Sequence, residues 1–159
     1  MITTYKELAA ICDAPKQVRH AAIFKHAKDI ERIIAEQAMG ATLVDNHWRL
    51  DDAGGTRFPH NLGAFENDGE MHAPSDWYRP LIQADRALAA MDKMIGRGWS
   101  FEPHWNGMDF SAVGAINYNK GLTVHALHWS HNADRHATAL SLAVALACLL
   151  EKEAVKPEP

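Results

Sequence analysis

From Ala137 to Leu150 the chain reads Ala-Thr-Ala-Leu-Ser-Leu-Ala-Val-Ala-Leu-Ala-Cys-Leu-Leu, a helix-forming run that is apolar on nearly every side. A helix of this kind has no solvent face, so it must sit at the centre of a core or in a subunit interface. Both placements are open from the sequence, and the second is the basis for expecting a homo-oligomer. The run is shorter than the roughly 18 apolar residues that span a bilayer. With 159 residues, 47% of them hydrophobic, the chain has material for one core and little more.

The elements that would wrap this helix are legible in order. Thr4 and Glu7 have capping-box spacing and start a short N-terminal helix that reaches about Cys12. Pro15 fits the first turn of a second helix, whose face is lined by Ile23, Ala27, Ile30, Ile34 and Ala38 and which ends at Gly40. Thr42 to Leu50 reads as a strand carrying Trp48, and the aperiodic, Gly- and Pro-punctuated stretch from Gly54 to Asp76 reads as a long loop. Ser75 or Asp76 is placed to cap the next helix, with Pro80 in its first turn and Leu81, Ala84, Leu88, Met91 and Ile95 inward. Trp99, Phe101 and Trp105 alternate with polar residues up to Asn106-Gly107, the strongest hairpin dipeptide in the chain. A return strand to about Ile116 and a third strand from Leu122 to Trp129 complete a meander. The expected fold class is α/β of the α+β kind: an antiparallel sheet of about four strands with helices packed on it and an additional N-terminal helix. The expected division is an extension over 1–22, the main domain over 23–152 and a disordered tail over 153–159.

Charge and cysteine content narrow the function classes. Sixteen Lys plus Arg against 20 Asp plus Glu argue against a counterion-release nucleic-acid binder and a polybasic membrane anchor. Cys12 and Cys148 stand alone in apolar contexts, as buried small hydrophobes of a protein in reducing cytoplasm do. No nucleophile elbow, Walker loop, dinucleotide-binding glycine pattern or zinc-protease string occurs, so no catalytic residue and no cofactor is assigned.

Three groups of residues remain. His125, His128, His131 and His136, from a total of ten histidines, suggest a metal site. Alternation on a strand sends His125 and His128 to opposite faces, which leaves His128, His131, Asp134 and His136 as the geometrically open set, weighed against surface histidines that titrate near neutrality. Asp85 and Asp92 neighbour Arg86 and Lys93, as on an ordinary solvated helix face. Of the five tryptophans, Trp99 and Trp105 fall on one strand face and are expected in the core. Trp77, Tyr78 and Arg79, at the mouth of the long loop with Arg57, Asn67 and His72, are the expected ligand-binding group. Aromatic planes stack on bases and Arg holds phosphate, so the group is suited to clamp a flat anion such as a nucleotide. The plainer alternative is that Trp77 and Tyr78 pack down and seal the helix start.

Ile33-Ile34-Ala35-Glu36-Gln37-Ala38-Met39-Gly40, the strand around Trp48, Pro74-Ser75-Asp76-Trp77, the Ala84 to Met94 helix before Gly98-Trp99-Ser100-Phe101, and the closing helix together resemble the phage ABA sandwich domain. The resemblance spans about Ile23 to Leu150. It implies helices packed on an antiparallel sheet, a bacteriophage or prophage origin, and a place in the host cytoplasm, and it transfers no active site. The expected function is a non-enzymatic accessory protein that binds a small anionic ligand, for instance a nucleotide immune signal of the host. The rivals are a protein-interaction module whose partner is a host or phage protein, and a metal-dependent hydrolase using the His125 to His136 segment.

Overall fold

A computed structural model of the chain describes residues 1–44, 47–51, 65–67, 70–74 and 78–154. In chain order these are α1 (Tyr5–Cys12), α2 (Lys16–Lys25), α3 (Ala27–Ile33) and a π-helical turn (Ile34–Ala38), then the short strands β1 (Thr42–Val44), β2 (His47–Asp51), β3 (Phe65–Asn67) and β4 (Glu70–Pro74). They continue with α4 (Ala84–Ile95), the meander β5 (Trp99–Trp105), β6 (Phe110–Asn117) and β7 (Leu122–Trp129), and α5 (Arg135–Ala154). The class is mixed α+β, with an antiparallel meander packed against helices.

The wholly apolar helix takes the central position. α5 lies on β6 and β7 and is covered from its other sides by α1, α3, the π-helical turn and α4. Residues from Ala137 to Leu149 are all buried, which accounts for a helix without a polar stripe inside one chain. Its composition therefore gives no support to a subunit interface. The N-terminal helices belong to the same packing: Leu8 and Ile23 are fully buried, and the Tyr5 N–H donates to Glu153 Oε1 at 3.0 Å.

At the N terminus, Thr4 caps α1 as its spacing predicts, its hydroxyl accepting from the Glu7 N–H at 3.2 Å. The expected second helix is broken at His26 into α2 and α3 and ends in a π-helical turn, yet Ile23, Ala27, Ile30, Ile34 and Ala38 all face inward. Gly40 closes it with φ +71°, where a glycine carries no Cβ strain.

In β5–β6–β7 the register pairs Phe101 with Ala115, and Ala115 with Val124, so Phe101, Val113, Ala115, Val124 and Ala126 share the face that α5 covers. Ser100, Glu102, Thr123 and His125 on the opposite face are exposed. Pro103 stands on β5, an edge strand of this sheet, where its missing N–H costs no ladder bond.

Three expectations need correction. The strand from Thr42 to Leu50 does not join the meander: it forms β1 and β2 of a second sheet, ordered β1-β2-β4-β3. The stretch read as one long loop contributes β3 and β4 to that sheet, because short strands without clear alternation leave no period to read. The third concerns α4, which starts at Ala84 after Gln83 with no side-chain cap, while Pro80 and Leu81 lie in a turn before it. Ser75 and Asp76, the expected caps, lie outside the described residues. α4 buries Arg86, Ala87, Ala90 and Met94, and Leu88 and Ile95 are 48% and 47% exposed. The inward face is set by close approach to α5, which favours the alanines over the bulkier leucine stripe.

Candidate functional site

α2 and α3 turn one side toward the second sheet, and a cleft of about 610 Å³ opens between them and the segment at Tyr78 and Arg79. That volume lies within the range of small-molecule sites. Phe24, Leu43, Trp48 and Tyr78 form its apolar walls, and Lys25, Lys28, Arg32 and Arg79 place four cations around it. Asp29 and Glu31 are the two carboxylates that line it.

These charges differ in how they are held. Asp29 accepts from the Ile2 N–H at 3.3 Å, and Arg32 pairs with Glu36 at 2.8 Å one helical turn away. Glu31 is 5% exposed, accepts from Arg79 Nε at 2.8 Å through Oε1 and from the Leu81 N–H at 3.3 Å through Oε2. Burial pushes the Glu31 carboxyl up to about 6, against the pull of the Arg79 guanidinium. Lys25 and Lys28 are exposed and make no ion pair among the described residues, so they present uncommitted positive charge to the cleft mouth.

The segment that delivers Arg79 is anchored from below. Ser141 Oγ donates to the Pro80 carbonyl at 2.6 Å and Thr138 Oγ1 to the Leu81 carbonyl at 2.7 Å, both from the buried surface of α5. The Arg79 N–H donates to Gln83 Oε1 at 2.8 Å. Tyr78 is 1% exposed, with the Arg86 guanidinium 5.2 Å from its ring centre, and burial raises its hydroxyl above the ordinary tyrosine range. Its ring is thus part of the core floor and offers no open face for stacking.

Of the five expected ligand-binding residues, Tyr78 and Arg79 are brought to the cleft, Arg79 as a cation at its edge. His72 is a backbone position on β4, opposite Arg49 of β2 and Phe65 of β3. Arg57 and Trp77, with Asn67's side chain, lie outside what is described. The residues missed by sequence reading are Lys25, Lys28, Glu31 and Arg32. Glu31 carried a signal: it falls four residues after Ala27, on the apolar stripe, where an acid is out of place.

The histidines are drawn apart. His128 is fully buried and its Nε2 lies 3.2 Å from Nδ1 of His20 on α2. Burial, with His20 and Arg19 beside it, lowers His128 to about 4, so it is neutral at pH 7. His136 lies against Ser111, its Nδ1 2.6 Å from the hydroxyl, and stacks on Trp105 at 4.2 Å. Its imidazole is held below the ordinary histidine range by desolvation and Arg135. His131 and Asp134 are exposed. Among the described residues no three His, Cys, Asp or Glu side chains are grouped to hold a metal ion.

Trp99 is in the core as expected, 1% exposed, with its indole N–H donating to Glu151 at 2.8 Å. Trp105 is not: at the far end of the edge strand it stacks on His136 in the first turn of α5 and is 46% exposed. Cys12 and Cys148 are buried, and desolvation pushes both thiols up to about 12, which leaves them unreactive.

No family model matches the chain, and no curated protein or solved structure is significantly similar to it.

Proposed function

We propose that the protein is a binding protein for a small anionic ligand, taken up in the cleft between α2, α3 and β2. The observation that carries this reading is the pairing of an apolar wall with four cations, two of which, Lys25 and Lys28, make no ion pair among the described residues. Uncommitted surface cations at a concave site raise the local concentration of anions and meet phosphate or carboxylate by charge-assisted hydrogen bonds. The apolar wall of Phe24, Leu43 and Trp48 selects ligands that also carry a hydrophobic or aromatic part, as nucleotides do. In the bacteriophage setting implied by the resemblance, the corresponding role is capture of a nucleotide signal of host defence.

Titration calorimetry with a nucleotide panel and inorganic phosphate, at two salt concentrations, tests the reading. Binding that weakens with salt, and by at least tenfold in a Lys25→Glu/Lys28→Glu variant of unchanged thermal stability, is the expected result. Equal affinity in the variant, or no nucleotide bound at millimolar concentration, refutes it.

A further inference from the structure

The cleft has a polarity that its net charge hides. Its exposed mouth carries Lys25, Lys28 and Arg32, whereas its inner wall carries a nearly buried carboxylate, Glu31. A carboxylate offers about four acceptor positions on its two oxygens, and among the described residues two are taken, by Arg79 Nε on Oε1 and the Leu81 N–H on Oε2. An anion pushed inward would meet that acceptor group, so the charged end of a ligand belongs at the mouth. The inner end must supply N–H donors. Each oxygen already has one partner, so what selects is the sign of the contact: a ligand N–H is attracted to the carboxylate, and a ligand atom that turns a lone pair toward it is repelled.

Resting on the anion-binding reading above, we infer that Glu31 selects a base whose edge carries two adjacent N–H donors, so that the cleft takes a guanine nucleotide with its phosphate toward Lys25 and Lys28. Guanine presents N1–H and the 2-amino group side by side, matched to the two oxygens of one carboxylate. Adenine presents its amino group beside a bare ring nitrogen whose lone pair would face a carboxylate oxygen. Hypoxanthine keeps N1–H and lacks the amino group. Glu31 is therefore a specificity residue whose effect is read on the base, and the lysines act on the phosphate.

The test compares GMP, IMP, AMP and inorganic phosphate by calorimetry on the wild-type chain, so that it does not depend on any variant folding. The expected order is GMP tightest, IMP at least about tenfold weaker, and AMP weaker still. In Glu31→Gln, where the side chain keeps its size and loses one acceptor, the GMP to AMP ratio should fall toward unity while AMP and phosphate affinities change little. Equal binding of GMP and AMP, or tighter AMP, overturns the inference. If that equal binding is still lost in Lys25→Glu/Lys28→Glu, the anion cleft stands without it. Absence of binding by all four overturns both.

Discussion

Removing the two hydroxyls that α5 extends to the Pro80–Leu81 turn should destabilise the protein out of proportion to the atoms removed. Thr138 and Ser141 are 1% and 0% exposed, and their hydroxyls donate to the Leu81 and Pro80 carbonyls at 2.7 and 2.6 Å. Among the described residues no backbone N–H outside regular helices and strands donates to either carbonyl. A buried acceptor left unsatisfied costs about 1–3 kcal/mol, so Thr138→Val combined with Ser141→Ala should lose roughly 2–6 kcal/mol. Typical domains hold about 5–15 kcal/mol in total, so the double variant should be visibly marginal. Urea denaturation followed by tryptophan fluorescence reads the loss as a lower midpoint at unchanged slope. In thermal melts each kcal/mol should move the midpoint by about 2–4 °C for a chain of this size. Thr138→Ser keeps the donor and drops one methyl group, so it should cost only about 1 kcal/mol. A double variant within 1 kcal/mol of wild type would refute the reasoning, since it would show that water reaches the two carbonyls and that α5 does not hold the turn.

The buried histidine gives a pH signature with a definite sign. His128 falls from 6.5 to about 4 on folding, so the unfolded chain binds the proton first. Its contribution is complete above pH 6.5 and lost as pH falls through about 4, a difference on the order of 3 kcal/mol. Glu31 works the other way, raised from 4.5 to about 6, so its contribution is present below pH 4.5 and lost as pH rises through 6. The difference between wild-type and His128→Leu stability curves isolates the contribution of the histidine, and parallel curves from pH 7 to 4 would contradict its burial. Leu88→Gln, at a site 48% exposed, should change stability by less than about 0.5 kcal/mol, whereas Leu142→Ala at a fully buried site should cost about 2–5. Gly98→Ala should cost roughly 1–2 kcal/mol, measured by the same denaturation, because φ is +98° while the nearest atoms, on Asn117, stand at an ordinary 3.5 Å.

Wherever the pattern was long and regular, local chemistry and tertiary packing agreed, and the element was legible. The meander is an example, since the alternation along β5 picks the side chains that meet α5, although the turn is not the two-residue one that Asn106-Gly107 suggests: Trp105 pairs with Ser111, and the Asn106 carboxamide oxygen accepts from the N–H groups of Met108, Asp109 and Phe110. α4 shows where agreement ends. Leu81, Ala84, Leu88, Met91 and Ile95 make a convincing helical stripe, yet the helix is rolled so that Ala87, Ala90 and Met94 face the core. Periodicity reports that a helix has an apolar face, and it does not distinguish a stripe of large residues from a stripe of small ones when the neighbour is the alanine-rich α5. The packing distance decides, and that distance is a property of both helices together.

The site was less legible than the fold because its parts come from segments that are far apart in sequence. In the sequence Arg79 stands out for its aromatic neighbours, but what orients it is Glu31 on α3 and the hydroxyls of α5 beneath the adjoining turn. A single misplaced acid on an apolar stripe was the one local clue to that arrangement. The same holds for His128, whose partner His20 is 108 positions away, whereas the sequence groups it with His131, Asp134 and His136. In both cases a titratable group on an inward face demands a partner, and the partner comes from an element far away in sequence. Buried polar groups must be answered by hydrogen bonds, so Glu31 in a helix stripe and Arg86 beside Ala87 and Ala90 mark where a distant element has to arrive. For Glu31 that element is the turn at Arg79 and Leu81, and its arrival places a cation and a nearly buried carboxylate at one cleft.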